Sequence, residues 1–224
     1  MRAGIPPLSF CADLLSDTDG RFFLGCKMIR HIDSIKVRFL FFIVHFGHGG
    51  GVIHGATRYF LTVLPKLSSQ GVALSVAFLR GYHPSVEQLK EHGVEPTFFD
   101  RAKWNPWTVV DVLRLVRRER IQVIHAAGMK GIFTARLAGK LAGVPVIAHL
   151  HDQMPVPSLL AKPLRMTPGL SLHTLAVSRD VATHGETVLK IDPKQIEVLA
   201  NGMDVDALAQ VQAEAGVAFR RKVG

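Results

Sequence analysis

Residues 122–153 constrain the fold of this chain more than any other segment, because they combine two short apolar strand patterns with one helical pattern. The first strand pattern covers residues 122–125, and Gly128 and Gly131 follow it as a break that permits a tight turn. The second strand pattern covers residues 146–150. Two strands joined by one helix form a right-handed unit of parallel strands. Ligands of open parallel sheets bind at the carboxyl ends of the strands, so this unit also predicts where a site lies.

The helical pattern between these strands has one apolar face. That face is formed by Ile132, Phe133, Ala135, Leu137, Ala138, Leu141 and Ala142. Arg136 and Lys140 are predicted to lie outside it, in solvent. Gly143 is predicted to close the helix, and Pro145 prevents its continuation.

Strand and helix patterns alternate along the rest of the chain. Further strands are predicted over residues 37–44, 72–79, 95–99, 174–177 and 196–199. Further helices are predicted over residues 53–69, 83–93, 107–119 and 179–190, the last capped by Ser178. A less regular stretch contains Pro155, Pro157, Pro163 and Pro168. This alternation predicts the α/β class: a single Rossmann-like, doubly wound parallel sheet with helices on both faces.

The same patterns divide the chain into three parts. We expect residues 1–34 to be a poorly ordered extension, of which the first 27 are a candidate upstream addition because Met28 resembles a natural start. Residues 35–203 are predicted to form the Rossmann-like domain. Residues 204–224 are predicted to be a short helix or a linker toward a further domain.

The net charge of +9 favours anionic partners such as nucleotide diphosphates, anionic lipid surfaces or nucleic acid. The run of arginines over residues 114–120 is most simply a solvated helix face, with a membrane surface as the alternative. Two cysteines, Cys11 and Cys26, cannot form a disulfide framework, which favours a reduced compartment. No apolar stretch reaches the roughly 18 residues of a membrane span. We therefore expect a cytoplasmic protein, with peripheral contact at the inner face of the membrane as an option.

A glycine-rich turn over residues 47–51 follows the first predicted strand. Gly49, Gly50 and Gly51 place flexible backbone and free N–H groups at a helix N-terminus, a geometry that suits a phosphate or a sugar hydroxyl. The turn matches neither the phosphate loop of nucleotide hydrolases nor the dinucleotide fingerprint. The residues alone are compatible with two roles for this segment: contact with a ligand, or a tight turn without a ligand.

Five histidines map to the ends of predicted strands, namely His45, His48, His125, His149 and His151. Such positions suit polar contacts to a ligand, a structural role or a metal site, and no spacing here demands a metal. His149 and His151 share one strand face, and Asp152 could raise the basicity of His151. Of the two Asp-x-Asp patterns, the one at 17–19 lies in the N-terminal extension that we expect to be poorly ordered. The one at 204–206 is better explained by a turn and a helix cap.

Residues 49–79, 125–152 and 175–204 together resemble, in order and spacing, the N-terminal half of family-4 glycosyltransferases. The resemblance covers roughly residues 37–206. It implies a retaining, metal-independent enzyme of the GT-B architecture that needs no cofactor, in which two Rossmann-like domains face each other across a cleft. It also implies a nucleotide-sugar donor and a glycan or lipid-linked acceptor, and no nucleic acid partner.

The resemblance assigns roles to particular residues. The N-terminal domain of this family mainly binds the acceptor, while its glycine-rich loop approaches the donor diphosphate. The matching donor-side residues here are Gly49, Gly50 and Gly51, together with Gly128, Lys130 and Gly131. His151 matches the histidine that contacts the donor sugar near the reacting carbon, and Asp152 would tune it. Asn201 and Gly202 match the turn at the end of the domain.

The donor-binding C-terminal half of the family pattern has no counterpart in these 224 residues. A single wall of a cleft neither holds the donor nor excludes water. The first hypothesis is therefore the acceptor-side domain of a glycosyltransferase that is inactive without a donor-binding domain. The alternatives are a non-catalytic acceptor-docking or membrane-docking subunit that complements a separate donor-binding chain, and an inactive gene fragment.

Overall fold

The structure is a computed structural model, and it describes residues 37–44, 55–102, 105–153 and 158–202, without the side chains of 158–161. Seven strands occur there: Arg38–Ile43 (β1), Ala73–Phe78 (β2), Pro96–Phe98 (β3), Val123–Ala127 (β4), Val146–Leu150 (β5), His173–Ala176 (β6) and Ile196–Val198 (β7). The α-helices of the same residues are Gly55–Ser69 (α1), Glu87–Lys90 (α2), Trp107–Arg118 (α3), Met129–Ala142 (α4), Ser158–Met166 (α5) and Arg179–Thr187 (α6). The predicted boundaries at 34/35 and 203/204 lie outside the described residues.

All seven strands belong to one parallel sheet in the order β3-β2-β1-β4-β5-β6-β7. The chain starts in the middle, at β1, and moves first toward β3 and then across to β4 and onward. The order therefore reverses between β1 and β4, and such a switch point leaves a crevice at the carboxyl ends of the two strands. The predicted parallel α/β sheet is confirmed.

Helices cover both faces of the sheet because the strands are apolar on both faces. Leu40 and Phe42 of β1 belong to one core, which α3 and α4 complete. Phe41 and Ile43 point to the opposite face and belong to a second core, which α1 completes. The predicted doubly wound arrangement is thus confirmed, and the carboxyl ends of β1 and β4 lie between the two helical layers.

Helix α4 begins and ends at the glycines that the sequence indicated. Gly128 precedes it with φ 77°, and Gly143 follows it in the left-handed conformation with φ 69°. Both values favour glycine, since a side chain is strained there. Ser178 likewise caps α6 as predicted, because its side chain accepts a hydrogen bond from the N–H of Val181.

The structure corrects the predicted outer face of α4. Arg136 was expected in solvent, yet only 2% of it is exposed, whereas Leu141 is 63% exposed. The Arg136 guanidinium donates hydrogen bonds to Ser171 Oγ at 2.8 Å and to the Leu164 carbonyl at 3.3 Å. Both acceptor oxygens belong to the segment that follows β5, which packs over α4. The periodicity of α4 alone cannot predict that a distant segment supplies acceptors for a buried guanidinium.

A helix also replaces the predicted irregular stretch after β5. Residues Ser158–Met166 form α5 although Pro163 lies inside it. Leu164 is buried in the larger core, and its carbonyl accepts from Arg136. These tertiary contacts outweigh the loss of the backbone donor at proline. None of the described helices is long and apolar enough to cross a membrane.

Candidate functional site

A cavity of about 460 Å³ lies at the carboxyl ends of β1, β4 and β5. Its walls come from three strand ends and from the first turns of α1 and α4. Its lining includes Val44, Thr57, Phe60, Arg80, Gly128, Met129, Lys130, His149, His151 and Asp152. The cavity occupies the switch point of the sheet. It lies at the carboxyl ends of the strands, the edge of the sheet at which the sequence predicted a site.

Two glycines let the start of α4 approach β1 closely. A Cβ atom on Gly128 would lie 2.8 Å from Val44 Cγ2, and one on Gly131 would lie 3.3 Å from the same atom. Gly128 lines the cavity, whereas Gly131 is buried in the first turn of α4 against Val44 and Phe42. The predicted turn is therefore formed by Gly128 alone, and Gly131 allows the packing behind it.

The charge of the cavity is mainly positive. Lys130, half-buried at the start of α4, and Arg80, exposed just after β2, both line it. Among the described residues of its lining, only Asp152 is acidic. The first turn of a helix has N–H groups without intrahelical acceptors, and Gly128, Met129 and Lys130 at the start of α4 line the cavity. This combination suits an anion such as a phosphate or diphosphate.

Three histidines form a cluster beneath the cavity on the α1 side of the sheet. Nε2 of His125 lies 3.0 Å from Nδ1 of His149. The ring centroids of His149 and His151 are 4.0 Å apart, which confirms that these two residues share one strand face. The predicted end of β4 at His125 is wrong, since the strand continues to Ala127 and His125 is buried in its middle.

Aromatic side chains enclose this cluster. Phe41 stacks on His125, with ring centroids 5.0 Å apart. Tyr59 of α1 stands perpendicular to His149 at 5.3 Å, and Phe60 lies 5.4 Å from His151. Tyr59 and Phe60 were not predicted as residues of the site. The helix over residues 53–69 was predicted, but its position over β4 and β5 was not.

Burial keeps all three imidazoles neutral at pH 7. It lowers the pKa of His125 to about 3 and that of His151 to about 4, and it lowers the pKa of His149 well below its ordinary value. Burial also raises the pKa of Tyr59 to about 12. The expectation that Asp152 raises the basicity of His151 is therefore wrong, because desolvation dominates and Asp152 is exposed.

Several ring nitrogens of the cluster are unsatisfied within the described part of the chain. Nε2 of His149 and both ring nitrogens of His151 are enclosed and find no hydrogen-bond partner there. Both residues line the cavity. Buried polar atoms are normally paired, so a ligand or water in the cavity is the natural partner.

Other candidate residues fall outside the described part of the chain. These are Gly49, Gly50 and Gly51 of the glycine-rich turn, His45 and His48, and both Asp-x-Asp patterns. Within the described ranges, no group of three or more histidine, cysteine or carboxylate side chains is arranged to hold a metal ion. Arg80 is a cavity residue that the sequence analysis did not single out, although its place after β2 was a usable signal.

The sheet, its switch point and the cationic cavity beside a helix N-terminus define a Rossmann-like domain. The chain belongs to glycosyltransferase family 4, because the model of that family, described as Glycosyltransferase Family 4, matches residues 53–207. This confirms the resemblance seen in the sequence.

Individual proteins show the same similarity. The chain is 24% identical over 110 residues to an Escherichia coli enzyme named UDP-Gal:alpha-D-GlcNAc-diphosphoundecaprenol alpha-1,3-galactosyltransferase. It superimposes on Anabaena HepE, solved in complex with UDP, with a TM-score of 0.62 and 18% identity over 81% of this chain. A glycosyltransferase from Rickettsia africae gives a TM-score of 0.62 at 16% identity over 82% of this chain.

The chain corresponds to only part of each relative. The matched region spans 28% of the Escherichia coli enzyme, 46% of this chain being aligned. It spans 50% of each of the two solved structures. The structural likeness therefore concerns one of two halves, and at these identities it establishes the fold.

Proposed function

We propose that this chain forms the acceptor-side domain of a retaining, metal-independent glycosyltransferase that uses a nucleotide-activated sugar. The observation that carries the proposal is the cavity at the switch point, where Lys130, Gly128 and His151 lie together in a family-4 domain. A donor-binding domain, on the same polypeptide or on another, would supply the opposite wall of the cleft. Two walls are needed to orient the donor and to exclude water.

The chemistry of the cavity supports a division of roles. Lys130 and the N–H groups at the start of α4 would stabilise negative charge on the leaving diphosphate. The glycine-rich turn formed by Gly49, Gly50 and Gly51 would approach the same group. His151, neutral at pH 7 because burial lowers its pKa to about 4, would hydrogen-bond the donor sugar. Asp152 lies beside it at the cavity mouth.

The relatives suggest the chemical class of donor and acceptor. Anabaena HepE was solved with UDP, and the Escherichia coli enzyme is named for UDP-galactose and a sugar linked to diphosphoundecaprenol. A uridine-diphosphate sugar as donor and a lipid-linked glycan as acceptor are therefore the substrates we propose to test first. Such an acceptor would place the enzyme at the cytoplasmic face of a membrane.

The binding test compares two lysines of α4. Lys130→Gln is expected to weaken UDP binding about five- to tenfold, because a charge-assisted contact to phosphate is lost. Lys140→Gln removes the same charge from the exposed far end of the helix and should leave binding unchanged. Titration with UDP, followed by amide chemical shifts, measures both. Equal affinities in the two variants, or no shifts around Gly128, would refute the proposed site.

The 224-residue chain by itself is expected to show no sugar transfer and no donor hydrolysis, and to bind nucleotide more weakly than about 1 μM. The reason is that the second wall of the cleft is needed to hold the donor. Release of UDP from UDP-galactose and UDP-glucose, measured with and without a separately expressed donor-binding domain, tests this. Turnover by the isolated chain would contradict the prediction.

A membrane-docking role is the second candidate, and helix α3 is the observation that favours it. Trp107, Arg114 and Arg118 lie at positions i, i+7 and i+11, on one face of the helix. Trp107 is 61% exposed, and the side chains of Arg114 and Arg118 are 75% and 68% exposed. An aromatic residue at the end of a basic stripe suits an anionic lipid surface.

Vesicle sedimentation tests this second role. Arg114→Gln combined with Arg118→Gln is expected to weaken binding to vesicles of anionic lipid about tenfold or more, since each basic residue contributes roughly 1 kcal/mol at such a surface. Arg179→Gln combined with Lys194→Gln removes the same charge from other exposed positions and serves as the control. Equal loss in both pairs would show that only net charge matters, and would exclude a docking face on α3.

A further inference from the structure

Two buried histidines beneath His151 are joined by a single hydrogen bond. Nε2 of His125 on β4 lies 3.0 Å from Nδ1 of His149 on β5. His125 is 5% exposed and His149 is fully buried. One proton lies between these two nitrogens, because one must donate and the other accept. The bond therefore ties the tautomer of the neutral His149 ring to that of His125: if His125 donates, His149 carries its proton on Nε2, and if His149 donates, it carries its proton on Nδ1.

The other nitrogen of His149 is left for the cavity. Nδ1 is turned toward β4, while the ring also lines the cavity. Nε2 is enclosed and finds no hydrogen-bond partner among the described residues. An unsatisfied buried nitrogen costs the full free energy of its desolvation. A group that enters the cavity and bonds Nε2 would recover that free energy.

The surroundings of Nε2 favour an uncharged partner. His149 lies 4.0 Å from His151 between ring centroids, and Tyr59 stands perpendicular to it at 5.3 Å. Neutral imidazoles and aromatic rings are a poor environment for an ion, whose burial is costly without a countercharge. A sugar hydroxyl both donates and accepts, so it suits either tautomer of His149. The cationic residues Lys130 and Arg80 belong to other walls of the cavity.

We propose that His149 is a second contact to the donor sugar: its Nε2 hydrogen-bonds a sugar hydroxyl, and His125 is a positioning residue that fixes its tautomer. The inference rests on the proposed function and deepens it, because it adds a sugar contact beneath His151. It also gives the two buried histidines different roles. His149 touches the ligand, whereas His125 acts only through His149.

Two amide variants separate the two nitrogens of His149. In His149→Asn, the amide takes the place of Nδ1, so the bond to His125 is kept and the contact at Nε2 is lost. In His149→Gln, the amide reaches the place of Nε2 and the bond to His125 is lost. We expect His149→Asn to weaken UDP-galactose and UDP-glucose binding about tenfold relative to UDP, and His149→Gln about threefold or less. A purely structural role gives the opposite order, since only asparagine keeps the bond to His125.

His83→Gln is the matched control. His83 also has a buried Nε2 without a partner in the described ranges, but it does not line the cavity. This variant should bind UDP and both sugar nucleotides like the natural protein. Thermal unfolding of every variant shows that the fold is retained.

Imidazole ¹⁵N spectra give a second measurement that does not depend on substitution. The Nε2 resonance of His149 should move on addition of UDP-galactose or UDP-glucose and stay in place with UDP alone. Amide shifts around Gly128 without a shift of His149 Nε2 would overturn this inference and leave the proposed function standing. The absence of any shift in the cavity with UDP or either sugar nucleotide would overturn both.

Discussion

Acidification from about pH 7 to pH 5 is expected to destabilise this domain strongly, because three buried histidines stay neutral in the folded state and take up protons when the chain unfolds. Burial lowers the pKa of His125 to about 3, that of His151 to about 4 and that of His149 well below 6.5. In the unfolded chain each imidazole has a pKa near 6.5. Below that pH the unfolded state binds more protons than the folded state, so stability falls as pH falls.

The loss of folding free energy on acidification can be compared with the total stability of a domain. Each buried histidine removes about 1.4 kcal/mol per pH unit between pH 6.5 and its pKa in the folded state. At pH 5 this amounts to about 2 kcal/mol each for His125 and His151, or about 4 kcal/mol together, and His149 adds to the loss in the same direction. The total stability of an ordinary domain is only about 5–15 kcal/mol. Above pH 6.5 the three groups are neutral in both states, and they contribute no further pH dependence.

Urea unfolding at pH values between 5 and 8 measures this slope directly. His125→Gln keeps a hydrogen-bonding group beside His149 but removes one titrating ring, so the slope below pH 6.5 should decrease by about one proton. A slope in His125→Gln equal to that of the natural protein would show that His125 takes up no additional proton on unfolding, and would contradict the prediction.

The fold was predictable because strand and helix patterns alternate, and alternation with apolar strands leaves few arrangements other than a parallel sheet. The order of the strands was not predictable from local patterns. Whether β4 pairs with β1 or with β3 depends on long-range packing, and it is this pairing that creates the switch point. The positions of Gly128 and His151 at strand ends were sufficient to indicate the correct edge of the sheet.

Two of the predictions that failed concern contacts between distant segments. Arg136 was placed in solvent because its acceptors, Ser171 and the Leu164 carbonyl, come from a segment after β5. The basicity of His151 was misjudged because desolvation depends on the packing of Tyr59 and Phe60, which belong to α1. Sequence patterns predict on which face of its own helix or strand a side chain lies. They do not predict which distant segment packs against that face.

Among the glycines that the structure describes, Gly139 in α4 is the one at which an added Cβ atom makes the closest contacts. A Cβ atom there would lie 2.5 Å from Val146 Cγ2 and 2.7 Å from the Val144 carbonyl oxygen. That oxygen cannot rotate away, because the N–H of Val144 already bonds the Gly139 carbonyl at 2.9 Å and fixes the turn. Any side chain at this position therefore pushes α4 away from β5, which carries His149.

Gly139→Ala is expected to lower the free energy of unfolding by about 2 kcal/mol, because the overpacking outweighs the roughly 1 kcal/mol that alanine contributes as a better helix former. Gly139→Leu should cost at least about 3 kcal/mol and reduce the folded yield. Gly169→Ala is the control, since its Cβ would meet nothing within 4 Å and the change should stay within roughly 0.5 kcal/mol. Urea unfolding followed by circular dichroism measures all three. If Gly139→Ala were as stable as the natural protein, α4 would not be held against β5 at this distance, and the wall that positions Lys130 and His149 would be looser than described.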